Sequence, residues 1–513
     1  MADQQSCRVL PEAGVLKAAR EKLISTLPEQ GLGDDGAINH IEKDITPGLN
    51  ASSQSANYYG FVTGGTTPAA RRADNIVTQF DQNVQVHLPE ETVATDVEIK
   101  ALDLLCQLLD FTQHTTFFQN GKRDVYPHWT LRTFTTGATA SNVLGLAVGR
   151  QKILERLATK GIRKTGGSVT LEMFQKVDVA QVGLFTAMKN ASIRGIRILT
   201  TTPHSSLAKA ASIVGLGRDF IHLVGQAAQP HKFDMKLLEK ALANQNYASI
   251  VAISCAEVNA GLFATDGEEM RKIRLLCDQH GSWIHVDGAF GLMARLLAHS
   301  QHPEQFSKLI EGVENIELAD SITGDCHKLL NVPYDCGFFL SKDIFTGHAV
   351  FQNQATYLGG KVDNEDLSPL HLGIENSRRF RALPVYASLL ALGRKGYRDM
   401  LERQVLLARR IASFLWNHEG YEILPAMYLS KEEMLHNIYM VVMFRAKDTA
   451  FNEVLVQKVK DTGKIYISST TFEGKPASRI AISNWQVEVD RDFELVKEVL
   501  EQVYKASSEM ALV

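Results

Sequence analysis

The sequence has no Cys-x-x-Cys pair and none of the Cys/His spacings that hold structural zinc, so no metal site is expected. Its six cysteines, Cys7, Cys106, Cys255, Cys277, Cys326 and Cys336, are scattered through 513 residues and read as reduced, packed thiols. No run approaches the roughly 18 apolar residues that a membrane helix needs. The opening stretch MADQQSCRVLPEAG has no basic segment leading into an apolar core, so the expected location is the cytoplasm, with no membrane partner. A basic excess is also missing: 54 Lys and Arg stand against 58 Asp and Glu. Nothing in that balance draws the chain to a phosphate backbone, and no nucleic-acid partner is expected. There is no internal repeat and no low-complexity tract.

What is present is the composition of an ordinary globular protein, 45% hydrophobic and 22% charged, long enough for two or three domains. Leu16, Ala19, Leu23 and Leu27 recur at helical spacing before Pro28, which predicts one amphipathic helix with an apolar face in need of a partner. From about residue 130 to 345, β-branched runs (IRILTT, SIVAIS, WIHVD) alternate with helical stretches such as ATASNVLGLAVGRQKILERL. That alternation predicts an α/β fold with a mostly parallel sheet and ligands at the carboxyl ends of its strands. A helix rich in Arg, Leu and Ala follows Arg378, and then come NIYMVVMF and GKIYISSTTFEGKPASRIAISN. The expected division is a helical segment over 1–110, an α/β domain over 111–385 and a smaller α+β domain over 386–513.

Four features of the α/β region stand where that architecture exposes residues to a ligand. Lys328, in SITGDCHKLLNVPYDCGFFL, lies between a histidine and two leucines. Lysine is seldom fully buried, so this one either snorkels or does chemistry. TTGATASN precedes a helix, and its Ala138, Thr139 and Ala140 either cap that helix or cradle a phosphate with backbone N–H groups. Asp287 in WIHVDGAFG is a helix cap, a loop solvator or the partner of a buried cation. His204 in TTPHSSLAKAA is a core or surface imidazole, or it lies flat on a planar ligand. Together they are what pyridoxal 5'-phosphate requires: a lysine to carry it, a carboxylate to keep its pyridine nitrogen protonated, and a helix N-terminus for its phosphate.

From about residue 55, NYYGFVTGGTTPAARRAD, to SRIAISN near the C-terminus, the chain resembles the group II pyridoxal-phosphate-dependent amino-acid decarboxylases, the family of aromatic amino-acid, histidine and glutamate decarboxylases. The resemblance implies a fold-type I, aspartate aminotransferase-like large domain with a small C-terminal domain, and a homodimer with a shared active site. It places the cofactor on Lys328, the ring-stacking histidine at His204 and the pyridine partner at Asp287, with Ala289 beside it. Asp325 and His327 match positions near the phosphate and the attachment point. Arg479 matches an arginine that holds the substrate α-carboxylate, and Tyr357 a loop tyrosine that protonates Cα. Phe61, Val62 and Thr63 match the side-chain pocket, where two apolar groups and one hydroxyl favour an aromatic or other apolar substrate. Leu329 stands where the family usually has tryptophan, and Ala138 and Ala140 where a serine often sits. The expected reaction converts an L-amino acid to its amine and carbon dioxide. Aldehyde synthesis, carbon–carbon lyase chemistry and a non-catalytic binding protein are the alternatives, and the last would have lost Lys328, Asp287 or Tyr357.

Overall fold

The computed structural model describes residues 8–112, 115–119, 122–126, 129–165, 168–353 and 368–510 of the chain. Contacts gather them into two compact units, Thr66–Leu401 and a second made of Met1–Gly65 with Glu402–Val513. The division expected at residues 110 and 385 follows element type along the chain. The contacts group the first 65 residues with the C-terminal sheet, because Tyr58–Tyr59 is itself a strand of that sheet and pairs in parallel with Tyr466 and Ile467.

In the larger unit the β-branched runs form strands. These are β1 (Leu131–Thr135), β2 (Gly195–Thr200), β3 (Ile221–Leu223), β4 (Tyr247–Ser254), β5 (Trp283–Asp287), β6 (Ser321–Asp325) and β7 (Gly337–Ser341). They make one sheet in the order β1-β7-β6-β5-β4-β2-β3. Strands β6, β5, β4, β2 and β3 are parallel, and β7 runs antiparallel to both its neighbours. The mostly parallel sheet is as the alternation of runs predicts. All six residues of β2 are buried, including Arg197, which bonds Ser249 Oγ of β4 at 3.2 Å.

Helix α1 (Ala138–Thr165) is the long helix expected after TTGATASN. Its Leu144, Leu146, Ala147 and Val148 join Ile196, Ile198, Ile250 and Trp283 in the core of this unit. The helix approaches the sheet closely: a Cβ at Gly145 would lie 2.3 Å from Cε1 of His285. Helices α2 (Ser205–Ile213) and α3 (Gly267–His280) follow β2 and β4, and α3 opens with a capping box between Asp266 and Glu269.

The second unit holds a five-stranded sheet in the order Tyr58–Tyr59, β10 (Tyr466–Phe472), β11 (Lys475–Ala481), β9 (Val441–Ala446) and β8 (Tyr421–Leu424). NIYMVVMF supplies β9, and GKIYISSTTFEGKPASRIAISN supplies the β10–β11 hairpin. The first helix is shorter than its periodicity predicts. It spans Ala13–Lys22, Leu23 is already extended, and Leu27 lies beyond it. Ser25 and Thr26 compete for backbone hydrogen bonds and favour a turn over a further helical turn. The helix buries none of its residues, and Leu23, Ile24 and Leu27 are exposed.

A buried ion pair ties the start of the larger unit to its sheet. Arg378 bonds Glu98, the carbonyls of Val84 (3.0 Å) and Phe134 (2.9 Å) and the hydroxyl of Thr133 (3.1 Å). Arg378→Ala strands the Glu98 carboxylate and should destabilise the protein by about 3–5 kcal/mol, read as a lower thermal unfolding midpoint. The double change Glu98→Leu with Arg378→Met should recover most of that loss. A single variant as stable as the parent would show that the pair does not hold this junction.

Candidate active site

Asp287 ends β5 at the carboxyl edge of the sheet, opposite Thr323 of β6 and Ser254 of β4. Both its oxygens are braced: Oδ1 accepts the N–H of Ala289 at 3.2 Å, and Oδ2 accepts Nδ2 of Asn142 at 3.0 Å. Two fixed donors hold the carboxylate in one orientation at a strand end, which suits it to a cationic N–H of a ligand.

Strand β6 carries the lysine. Its last residue, Asp325, leads into a single helical turn, Cys326–Leu329, which brings Lys328 back over it. Lys328 Nζ lies 2.9 Å from Asp325 Oδ2 and 5.8 Å from the ring centre of Phe290. Its side chain is 21% exposed and already paired, so it is not snorkelling into water. His327 has Nε2 3.5 Å from Asp325 Oδ1, accepts the N–H of Cys336 on Nδ1 and lies 4.5 Å from the ring of Tyr334. Burial pushes its pKa down, partly offset by Asp325.

The N-terminus of α1 meets the same group. Its hydrogen-bond ladder begins with Ser141 N–H donating to Gly137 O, so Ala138, Thr139 and Ala140 are the N–H groups without a carbonyl inside the helix. The Ala138 N–H donates to Asp325 Oδ1 at 2.6 Å. A Cβ at Gly137, whose φ is +152°, would lie 3.2 Å from His327 Cε1 and 3.3 Å from Asp325 Oδ1. The missing side chain keeps a cradle open between helix and lysine turn.

His204 caps α2, taking the N–H of Ser206 at 3.2 Å and meeting its hydroxyl at 2.7 Å on Nδ1. It is joined to Asp287 through residues that sequence reasoning did not single out. Asn142 Nδ2 also reaches Ser206 Oγ at 3.1 Å, and Asn142 Oδ1 meets Nε2 of His285 at 2.8 Å. Asn142 reads in sequence as one more polar residue of a helix. The available signal was its place one turn beyond the phosphate turn, on the face that turn presents.

The structure thus brings together Ala138, Asp287, Ala289, Asp325, His327 and Lys328, and links His204 to them. Phe61, Val62, Thr63 and Arg479 belong to the other unit. Phe61 and Val62 both have φ +58°, Phe61 is 64% exposed, and Val62 and Thr63 are buried. Arg479 is buried on β11, opposite Ser468. Tyr357 lies outside the described residues. The expected cofactor fits what is present: an acceptor-only carboxylate fixed by two donors, a paired amine and a glycine-opened helix N-terminus.

The model of the pyridoxal-dependent decarboxylase conserved domain matches residues 19–446. An L-2,4-diaminobutyrate decarboxylase of Acinetobacter baumannii is 26% identical over 79% of this chain and 73% of its own length. An aspartate 1-decarboxylase of Aliivibrio fischeri is 24% identical over 87% of this chain and 78% of its own. Oryza sativa TDC, solved with PLP and tryptamine, superposes with a TM-score of 0.74 at 18% identity, covering 98% of this chain and 94% of that one. That last likeness is one of fold, the fold-type I arrangement.

Burial lowers the pKa of His285 from its ordinary 6.5 to about 4, with Asp287 acting weakly the other way. The folded protein therefore holds this ring neutral while the unfolded chain binds a proton near pH 6.5. The stability it contributes is whole above about pH 6.5 and is lost as pH falls towards 4. Between pH 7 and pH 4 the parent should lose about 3 kcal/mol more than His285→Gln, measured by denaturant unfolding at each pH. Parallel pH profiles for the two proteins would contradict a neutral His285.

Proposed function

The chain belongs to the pyridoxal-dependent decarboxylase family, and from that premise we propose that it removes the α-carboxylate of an L-amino acid with an aromatic or other apolar side chain, giving the amine and carbon dioxide. It is a pyridoxal-phosphate-dependent carboxy-lyase; the substrate and the residue roles are the proposal. The observation that carries it is the amine of Lys328, 2.9 Å from Asp325, on the strand next to the doubly braced Asp287.

When bound, pyridoxal phosphate supplies an electron sink for the pair left behind as carbon dioxide departs. Lys328 is the covalent attachment point, and Asp325 fixes its amine. Asp287 would hold a proton on the pyridine nitrogen, and His204 and Ala289 would help to hold the ring. The N–H groups of Ala138, Thr139 and Ala140, with Asp325 and His327 beside them, form the phosphate end. Arg479 holds the α-carboxylate, so that the bond to be broken is presented in one orientation. Tyr357 donates a proton from its phenol to Cα, and each turnover takes up one proton.

The preference for an apolar substrate is supported by Phe61, Val62 and Thr63, and by Tyr58 stacked on Tyr466 at 4.4 Å, with Phe61 at 6.2 Å from Tyr466. The relatives' names span cationic, acidic and aromatic substrates, so family membership does not choose among them. The exposed apolar residues of the N-terminal segment, Leu23, Leu27, Leu32 and Ile38, support a homodimer, which sedimentation measures. No helix among the described residues is long and apolar enough to cross a membrane; a cytoplasmic location remains part of the proposal, checked by fractionation.

Borohydride reduction of the holoenzyme followed by peptide mapping should place the cofactor on Lys328, and an amino-acid panel with amine detection should give the highest kcat/KM for an aromatic or apolar side chain. A label on another lysine overturns the site assignment; highest kcat/KM for a charged side chain overturns the substrate.

Tyr357→Phe keeps an aromatic ring and removes only the acid. It should lower amine formation at least about tenfold, or shift product from amine to aldehyde, because general acids contribute about 10²–10⁴-fold. An unchanged rate and product ratio would assign the proton transfer to another group.

A further inference from the structure

The hydrogen bonds behind the candidate site form a chain whose two ends have fixed polarity. At one end is Trp283, whose indole N–H only donates; it reaches Ser321 Oγ at 2.9 Å. At the other is the Asp287 carboxylate, which only accepts; it takes Asn142 Nδ2 at 3.0 Å. Between them stand Ser321 Oγ to His285 Nδ1 at 2.8 Å and His285 Nε2 to Asn142 Oδ1 at 2.8 Å.

Each intervening group has one assignment that satisfies both neighbours. Asn142 must turn its NH₂ to Asp287, so its carbonyl oxygen faces His285, and His285 Nε2 must carry a proton to donate to it. His285 Nδ1 must then accept, and Ser321 gives it the hydroxyl proton while accepting the indole N–H. A neutral His285 is what this arrangement needs, and burial lowers its pKa to about 4. Asn142 has a second N–H, and it points to Ser206 Oγ at 3.1 Å. Ser206 accepts it and turns its own hydroxyl proton to His204 Nδ1, 2.7 Å away, which already takes the Ser206 backbone N–H.

We infer that Asn142 is a positioning residue whose amide, oriented by the Trp283–Ser321–His285 relay, couples Asp287 to His204 and holds His204 as the tautomer with its ring proton on Nε2. The coupling rests on reading Asp287 and His204 as the cofactor's contacts; the direction of the chain does not. One amide thus sets two groups at once, the anion for the pyridine nitrogen and the ring laid against it. With Nδ1 accepting from Ser206, the one proton of a neutral His204 ring sits on Nε2.

The test uses full-length protein with ¹⁵N-labelled histidine, with His204→Gln and His285→Gln identifying the two resonance sets. Both rings should give the signature of a neutral imidazole protonated at Nε2 alone, in the holoenzyme and in apoprotein. Protonation at Nδ1 of either ring overturns the direction of the chain.

The second measurement is pyridoxal phosphate binding to apoprotein, followed by the cofactor's absorption. Asn142→Leu removes a hydrogen bond to a charged group and should raise the dissociation constant about 10- to 100-fold, with mixed His204 tautomers. His285→Gln keeps a donor at one end and an acceptor at the other, so it should stay within about threefold of the parent, whereas His285→Leu should resemble Asn142→Leu. If Asn142→Leu does not fold, Asn142→Ala removes the same donors with a smaller side chain and should weaken binding in the same direction. Unchanged binding and an unchanged His204 signature in the folded Asn142 variant overturn the coupling. Should Lys328 carry the borohydride label while these values stay unchanged, this inference alone fails. Should the label lie elsewhere, the tautomer measurement still decides the direction of the chain.

Discussion

The site depends on how closely α1 lies against the carboxyl half of the sheet. Gly145 has no room for a Cβ beside His285, so the helix backbone comes within reach of the strand's side chains. That approach lets one helix deliver two kinds of contact. Its first N–H, that of Ala138, meets Asp325 at the lysine turn, and Asn142, one turn further on, reaches Asp287. A larger residue at Gly145 would push the helix outward and loosen both contacts together, because the helix moves as one rigid element.

The polar side chains under the helix would be costly if any were left unpaired. Trp283, Ser321, His285 and Asn142 are all buried, and in a low dielectric each unmet donor or acceptor costs about 1–3 kcal/mol. Because the chain starts at a group that can only donate and ends at one that can only accept, every member is satisfied in one arrangement. The same completeness that removes the penalty also removes rotamer and tautomer freedom. Rigidity at Asp287 is therefore a consequence of satisfying the core.

Much of this was legible in the sequence because each piece sits at a point where the pattern changes. WIHVD ends an apolar strand with a carboxylate, DCHK ends another with a cation, and TTGATASN is a turn before a helical period; strand ends of an α/β sheet are where ligands bind. Asn142 and Ser206 were not legible in the same way. Their roles arise from contacts between segments 64 and 145 residues apart, and nothing in local periodicity marks them. The first helix was overextended because Leu23 and Leu27 continue its spacing through residues that favour a turn. The grouping of the first 65 residues with the C-terminal sheet was hidden for a further reason. It hangs on Tyr58–Tyr59, a strand of two residues, too short to show a period.

The loop after that short strand is held in an unusual backbone conformation. Phe61 and Val62 are consecutive non-glycine residues with φ +58°, a conformation that costs each about 1–2 kcal/mol and weighs most on a β-branched side chain such as Val62. Such a pair persists only where its surroundings hold it. Here Val62 is buried, the Thr63 N–H bonds Gly60 O at 3.2 Å, and Tyr58 is fixed by its stack on Tyr466. The result is a rigid turn that buries Val62 and presents the Phe61 ring outward. A change of side chain at Phe61 alters what is presented without touching what holds the turn, whereas a change at Val62 alters both. The turn is therefore fixed from beneath by Val62, and the Phe61 ring is the part of it that meets solvent.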